Sequence, residues 1–335
     1  MKVTAEAVAR LAGVSRTTVS LVLNDNRSIS ISEPTRKRVI EAAKRLEYGP
    51  FATHLLPNTH EYVAVMLPTL LNPFYPEALS CINTVLASYG YRTLLGCFEK
   101  NAEKERAFLE KLDVRTTKMI LYVYTPQCRS VLRSVGKQIP VCVLGELDFA
   151  LDCFHVALDS ERAGYLAAEH LWQSGRKKLC FVSGGVRDFS FSRQKRLEGV
   201  SRFMEEHNAS ANLLVCVEEQ ERDEYRIGYA QTKKSLTENA DIDAIIGVND
   251  LTAIGALSAA RDLGYAVPKQ LAVMGFDNSM LARHYTPSLT SVDHHIEELA
   301  KLAVSTLLAD KRALRSRKVI YEPTLMVRES TGGEA

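Results

Sequence analysis

The stretch from Thr4 to Asn24 constrains this chain more than any other. It holds two short runs of helix-forming residues broken at Gly13-Val14-Ser15. Thr4 is placed to cap a first helix, with Glu6 in the first turn beside the positive end of the helix dipole. Val8, Leu11 and Ala12 recur at helical spacing, so one face of that helix is apolar. Gly13 follows, where a left-handed residue stops a helix, and Ser15 offers a new N-cap after the turn. Val19, Val22 and Leu23 give the second helix its own apolar side. Two helices this short bury little between them, so a third element must cover them. Ser32 as N-cap, Glu33 and Pro34 in the first turn, and then Val39, Ile40, Ala43 and Leu46 supply it.

What remains for solvent on the second helix is Arg16, Thr17, Ser20 and Leu21. Such side chains suit the major groove of DNA. Arginine pairs with guanine, short hydroxyls hydrogen-bond, and an apolar group touches the thymine methyl. The second helix of a helix-turn-helix lies in that groove. The spacing alone also admits an ordinary small helical bundle with a polar face.

The run Ala12-Gly13-Val14-Ser15, followed by Thr18-Val19-Ser20 and Val22-Leu23-Asn24, resembles the signature of the lac repressor (LacI/GalR) family. Thr35-Arg36, Arg38-Val39, Leu46, Tyr48 and Pro50 extend the resemblance. It implies that Thr4, Ser15, Thr18, Ser20, Asn24 and Ser32 meet the DNA backbone, and that Arg16 and Thr17 read bases. Leu21 stands where many relatives have a polar reader, which points to a thymine methyl. The partner implied is double-stranded operator DNA.

Charge agrees with this polarity. Residues 1–60 hold nine Lys/Arg against five Asp/Glu, and the remainder holds 33 against 35. A modestly basic front end on a mildly acidic body fits a DNA-reading head that works in pairs, so a homodimer is expected. Nothing in Glu329 to Ala335 supplies a leucine heptad for a tetramer. No long apolar run and no signal segment is present, so the expected location is cytoplasmic, with no membrane partner. The seven cysteines are scattered without a Cys-x-x-Cys pair, which reads as free thiols in a reducing compartment.

Between Tyr48 and Tyr62 the family places a hinge that turns helical on DNA and wedges a leucine into the minor groove. Here the pattern departs. Phe51, His54 and Leu55 interrupt it, and Pro57 would end a helix at the preceding residue. Leu55 or Leu56 is the candidate wedge; a passive tether is the alternative.

From residue 61 the periodicity changes to buried strands alternating with helices. Strands are expected at Val63–Leu67, Arg92–Gly96, Met119–Val123 and Val141–Leu144. The rhythm restarts with a helix from Gly164 and strands at Leu179–Val182, 213–217, Ala244–Val248 and Leu271–Met274. Such alternation builds parallel α/β sheets. Two runs of it suggest two lobes with a ligand cleft beyond the strand ends. The resemblance persists through Asn72-Pro73-Phe74-Tyr75, Asn249-Asp250, Gly275-Phe276-Asp277 and Val327-Arg328-Glu329-Ser330-Thr331. The expected fold class is therefore a small all-α helix-turn-helix head on a two-lobed α/β body like periplasmic binding proteins. The expected division is 1–47 for the head, 48–60 for the linker and 61–335 for an effector-binding and dimerisation domain. Lobe 1 would take about 61–160 and 293–322, and lobe 2 about 161–292 and 323–331.

Asn249 and Asp277 each follow a strand directly and should point into the cleft, where either could hold a small polar ligand. Each could equally cap a helix or turn; the resemblance favours effector binding. Phe74 and Tyr75 could stack on a ligand ring. Many family members carry an arginine where this chain has Gln194, with Arg193 beside it and Arg196 further on as effector-binding candidates; either Arg193 takes over the role or the ligand differs. Asp223 stands at an aromatic wall position, with Tyr225 the nearest substitute, and Gly145-Glu146 replaces an aspartate of some members. A sugar or sugar derivative is the expected effector; another metabolite, such as a nucleoside, stays open.

No phosphate loop, zinc motif or nucleophile elbow is found, so catalysis, a metal and a cofactor are not expected. The His294-His295 pair reads as core or solvent-facing. Two other functions share the cleft: a solute-binding protein, which would lack a DNA head, and a nucleoside-type enzyme, which would need an acidic cluster.

Overall fold

A computed structural model describes residues 4–23, 31–46, 48, 61–147, 151–184, 191–309 and 317–333. Residues 1–61 form one compact unit and residues 62–335 a second.

The first unit contains α1 (Ala5–Ala12), α2 (Arg16–Leu23) and α3 (Glu33–Arg45). Thr4 Oγ1 accepts from the Ala7 amide, and Gly13 closes α1 at φ +66°. Ser15 Oγ accepts from the Thr18 amide at 3.1 Å and so caps α2. Val8, Ala9, Ala12, Val19, Val22, Val39, Ala42 and Ala43 form the core of the unit. Two expectations are corrected. Leu11 is 46 % exposed, and Ala9 is the residue that joins Val8 and Ala12 on the buried face of α1. Ser32 occupies the N-cap position of α3, but its hydroxyl donates to Thr35 Oγ1 at 2.9 Å instead of accepting from the backbone.

The second unit begins with β1 (Tyr62–Leu67), α4 (Phe74–Ser88), β2 (Arg92–Cys97), α5 (Ala102–Glu110), β3 (Thr117–Tyr122), α6 (Arg129–Val135), β4 (Val141–Leu144) and β5 (Phe154–Leu158). It continues with α7 (Ser160–Gln173), β6 (Leu179–Gly184), α8 (Phe191–Glu206), β7 (Leu213–Glu218), α9 (Glu224–Glu238), β8 (Ala244–Gly247), α10 (Asp250–Asp262) and β9 (Ala272–Asp277). It ends with α11 (Met280–His284), β10 (Thr290–Asp293), α12 (Ile296–Ala309), β11 (Lys318–Tyr321) and β12 (Thr324–Met326).

The strands make two six-stranded sheets, ordered β11-β5-β4-β3-β1-β2 and β12-β10-β9-β8-β6-β7. Pairing is parallel except between β10 and β12. The chain passes between sheets after β5, after β10 and after β11. Central strands such as β4, β6 and β8 are buried at every position, as a sheet covered by helices on both faces requires. One core gathers the first sheet with α4 and the buried face of α12. Two cores lie on opposite faces of the second sheet, since alternate β6 residues Phe181 and Val182 belong to different ones.

Two helix crossings are close enough to require glycine. A Cβ on Gly199 of α8 would stand 1.9 Å from the Glu161 carbonyl of α7, and one on Gly228 of α9 would stand 1.9 Å from the Thr252 carbonyl of α10. These contacts fix the two helices that carry Arg193, Arg196 and Glu224.

Candidate functional site

On the first unit, Thr4, Ser15, Arg16, Thr17, Ser20 and Ser32 are exposed, and Leu21 and Thr18 are half-buried. Arg16, Thr17, Ser20 and Leu21 share a face of α2 by helical spacing, leaving Val19 and Val22 for the core. Thr18 Oγ1 and Ser15 Oγ lie 2.9 Å apart, so these two hydroxyls brace the start of that helix. Asn24, Leu55, Leu56 and the expected hinge lie outside the described residues.

On the second unit, the carboxyl ends of the two sheets meet across a cleft with about 500 Å³ of unfilled space, including its mouth. The enclosed part of that space is only about 40 Å³, so a sugar-sized ligand enters once the lobes part. The first lobe supplies Asn72, Phe74, Tyr75, Tyr124 and Glu146; the second supplies Ser192, Arg193, Arg196, Asn249 and Asp277; His294 stands on the crossover that follows β10.

One side of the cleft is built around Glu224, the first residue of α9. Its carboxylate accepts from Arg193 of α8, from Asn72 Nδ2 at 2.6 Å and from Asn249 Nδ2 at 2.8 Å. Asn249 also caps α10, its Oδ1 accepting from the Thr252 amide at 2.9 Å. Asn72 Oδ1 accepts from the Phe74 amide at 2.9 Å. Burial alone would raise the Glu224 pKa, but the charges of Arg193 and Lys100 and these hydrogen bonds hold it down at about 2. Arg193, although buried, is pushed above its ordinary range by Glu224. The pair is therefore a permanent ion pair.

The other side gathers Arg196, Asp277 and His294. Arg196 Nη1 donates to the Val248 carbonyl at 2.5 Å, and Nη2 lies 2.5 Å from His294 Nε2. Its guanidinium sits 4.7 Å from the centre of the Phe276 ring. His294 Nε2 is 3.4 Å from Asp277 Oδ1. Burial, then Arg196, drive the His294 pKa well below the ordinary value, so the ring is neutral and accepts from Arg196. Burial, then the neighbouring Asp250, raise the Asp277 carboxyl well above its ordinary range. Asp277 holds φ +120°, a conformation costly for any L side chain and typical of a functional position. Asp250 behind it accepts from Ser291 Oγ at 2.6 Å and from the Ser279 amide at 2.8 Å. Burial raises its carboxyl to about 6.

Among the described residues, three sets of bonds join the lobes. Asn72 reaches Glu224 as above. Glu146 accepts from the Ser192 hydroxyl at 2.6 Å and the Ser192 amide at 3.0 Å. Glu77 of α4 accepts from the Met280 amide at 2.8 Å and from Arg283 at 3.3 Å. Inside the cleft, Tyr124 Oη and Arg196 Nε are buried and lack a hydrogen-bond partner.

Six residues singled out from sequence come together here: Phe74, Tyr75, Arg193, Arg196, Asn249 and Asp277. Gln194 is a correction. One position round α8 from Arg193, it is exposed and donates to Glu198 at 2.8 Å. Tyr225 likewise is 37 % exposed and does not line the cleft. Glu224 and Tyr124 were not expected, and Glu146 carried only the signal of standing, with Gly145, where some family members have an aspartate. Glu224 reads in sequence as an ordinary acidic residue at a helix start. His294, read as core or solvent-facing, is a buried cleft residue, set between Arg196 and Phe74. No group of metal-ligating side chains occurs among the described residues, nor any helix long and apolar enough to cross a membrane. Their seven cysteines are free.

Residues 4–50 match the model of bacterial regulatory proteins of the lacI family, and residues 168–331 match a periplasmic binding protein-like domain. The chain is 31% identical over 340 residues to the HTH-type transcriptional regulator DegA of Bacillus subtilis, covering 99% of this chain and 98% of DegA. It is 30% identical over 347 residues to the ribose operon repressor of Halalkalibacterium halodurans, covering 98% and 97% of the two chains. Among solved structures it resembles the complex of the transcriptional regulator CelR with cellobiose, with TM-score 0.68 and 25% identity over 98% of this chain and 100% of the other.

Proposed function

The chain belongs to the lacI family of bacterial regulatory proteins and is a ligand-responsive transcriptional repressor, and we propose that it binds a pseudo-palindromic operator as a homodimer, under control of a sugar-like metabolite held between the lobes. Residues 1–47 are the DNA-binding head, 48–60 the linker and 61–335 the effector-binding and dimerisation domain. Arg16 and Thr17 read bases, Leu21 meets a thymine methyl, and Thr4, Ser15, Thr18, Ser20, Asn24 and Ser32 position the head on phosphates. Leu55 or Leu56 is the minor-groove wedge.

The observation that carries the effector assignment is the cleft itself. It has aromatic side chains from one lobe, guanidinium and carboxyl groups from the other, and buried polar atoms with no partner. Phe74 and Tyr75 are suited to a sugar ring face, and Asn249, Asp277, Arg193 and Arg196 to its hydroxyls. A ribose operon repressor and a cellobiose-bound regulator among the relatives support the same class. Dimerisation is supported by apolar side chains that a second copy would cover, including Leu71 at 91 % exposed and Leu94 and Leu95 on the edge strand β2. A DNA-binding repressor works in the cytoplasm.

The test is a thermal-shift screen of the full chain against sugars and metabolites. A ligand at a hundred times its dissociation constant adds about 2.7 kcal/mol. One compound should raise the melting temperature, lose that effect in Asp277→Ala, and change the affinity for operator DNA in a gel shift. A compound that binds Asp277→Ala as tightly as the wild type removes the cleft assignment.

A further inference from the structure

We propose that Glu224 sets the charge selectivity of the cleft: by neutralising Arg193 it makes the site a receptor for uncharged, hydroxyl-rich ligands and closes it to phosphorylated or carboxylated ones. The proposal rests on the cleft being the effector site and adds which ligands that site accepts.

A buried guanidinium is the natural seat for a phosphate or carboxylate, because it offers paired donors and a full positive charge. Arg193 is such a guanidinium, 9 % exposed and lining the cleft. Its charge is already met by a carboxylate of the protein. Glu224 is 8 % exposed, and donors from two lobes converge on it: Asn72 on one side, Arg193 and Asn249 on the other. A ligand anion reaching Arg193 would therefore lie beside Glu224. Like charges brought together in a desolvated cleft repel strongly.

The remaining charges give an anion no better seat. Arg196 faces Asp277 and Glu146, and Lys100 faces Glu224. Glu224 answers both Arg193 and Lys100, while Arg196 is already engaged by the Val248 carbonyl and His294 and faces Glu146, with Asp277 and Asp250 beside it held toward the neutral form by burial. The two amides nearest Glu224 are engaged at both ends, Asn72 with the Phe74 amide and Asn249 with the Thr252 amide. Among the described residues that line the cleft, the unpaired buried atoms are a phenol, Tyr124 Oη, and one N–H, Arg196 Nε. A hydroxyl or ring oxygen satisfies either without bringing charge. Phe74 and Tyr75, ring centres 5.3 Å apart, supply the apolar wall that the C–H face of a pyranose or furanose covers.

The experiment uses the full chain and calorimetry with neutral pentoses and hexoses, each paired with its phosphate ester or uronate, and with inorganic phosphate. The wild type should bind a neutral sugar at least tenfold more tightly than its charged counterpart and show no heat with phosphate. Glu224→Gln keeps the shape and removes the charge, so it should gain at least tenfold in affinity for phosphate and phosphate esters. The double variant Arg193→Gln/Glu224→Gln should lose that gain. A phosphate ester or uronate that binds the wild type more tightly than its neutral parent overturns the proposal. So does a cooperatively folded Glu224→Gln with no gain for anions. If Glu224→Gln does not fold, the wild-type comparison decides alone. If no neutral sugar binds but Glu224→Gln gains phosphate, the role of Glu224 stands and the sugar assignment falls.

Discussion

The Arg193–Glu224 pair permits a quantitative test of how the cleft is held together. Both side chains are about nine-tenths buried, at 11% and 9% exposed, so solvent screens the pair little. Glu224 titrates at about 2 against an ordinary 4.5. At 1.36 kcal/mol per unit, that difference corresponds to about 3 kcal/mol of stability at neutral pH. Breaking a buried pair from one side costs about 3–5 kcal/mol on independent grounds, because the other charge is left stranded. Glu224→Gln should therefore lose about 3 kcal/mol, or about 6–12 °C in melting temperature at 2–4 °C per kcal/mol. Arg193→Gln should lose at least as much. The double variant removes both desolvation costs together and should lose only about 3–4 kcal/mol where the two single losses would add to about 6, a coupling energy of about 2–3 kcal/mol. The sign of the pH dependence follows from a depressed carboxylate. Its contribution is complete above about pH 5 and is lost as pH falls through the folded value near 2. The wild-type advantage over Glu224→Gln should shrink across that window. Urea unfolding of the three variants and the wild type between pH 3 and 7 reads all of this. Single losses that add in the double variant, or a wild-type advantage that stays constant down to pH 3, would refute the buried-pair argument.

Arg16→Ala should weaken operator binding by about 1–3 kcal/mol and relax base choice at one position; equal loss on every base there, read by gel shift, would make Arg16 a phosphate contact only. Gly199→Ala forces a methyl against the Glu161 carbonyl and should destabilise the body by about 1–3 kcal/mol, while loosening α8 and the Arg193 and Arg196 it carries. Unchanged melting and effector affinity would show that α7 and α8 can part at no cost. Cys216 should be the first thiol alkylated at neutral pH. The Cys180 thiol donates to its sulfur across 3.8 Å and Ser235 Oγ lies 3.1 Å away, which lowers its pKa to about 6, whereas burial holds Cys142 far above. Peptide mapping after brief iodoacetamide treatment that finds Cys142 labelled first contradicts it.

The fold class was legible because its signals are local. The capped, glycine-stopped pair at Thr4 to Leu23 declares helix-turn-helix within twenty residues, and near-continuous apolar runs such as Val63–Leu67 declare covered parallel strands. Several elements escaped, among them β5, α6, α11, β10, α12 and β11. β5, Phe154–Leu158, interrupts its apolar run with His155, and α6, Arg129–Val135, is too short and too polar to show a periodicity. The cleft was only partly readable. Residues at strand ends, such as Asn249 and Asp277, announce themselves by position. Gln194 could not be told from Arg193 without the rotation of α8, because a step of one residue turns a side chain from cleft to solvent. Glu224 was invisible for a different reason. Its partners lie 31, 25 and 152 residues away, and no spacing rule connects them.

That long-range convergence also ties ligand binding to lobe position. Glu224 and Glu146 each accept from or reach across to the opposite lobe, through Asn72 and Ser192, and Glu77 does the same outside the cleft. A ligand that recruits Asn72 or Ser192 must compete with these carboxylates, so binding and the inter-lobe bonds share one free-energy balance. Glu77 does not line the cleft but accepts from Met280 and Arg283 across the same division. Removing it should therefore shift lobe closure without altering any ligand contact. Glu77→Ala should change effector affinity several-fold with the same chemical selectivity, and it should change operator affinity in the absence of ligand. If Glu77→Ala alters neither, the lobes are held by packing alone, and the effector must act on DNA binding by a route other than closure.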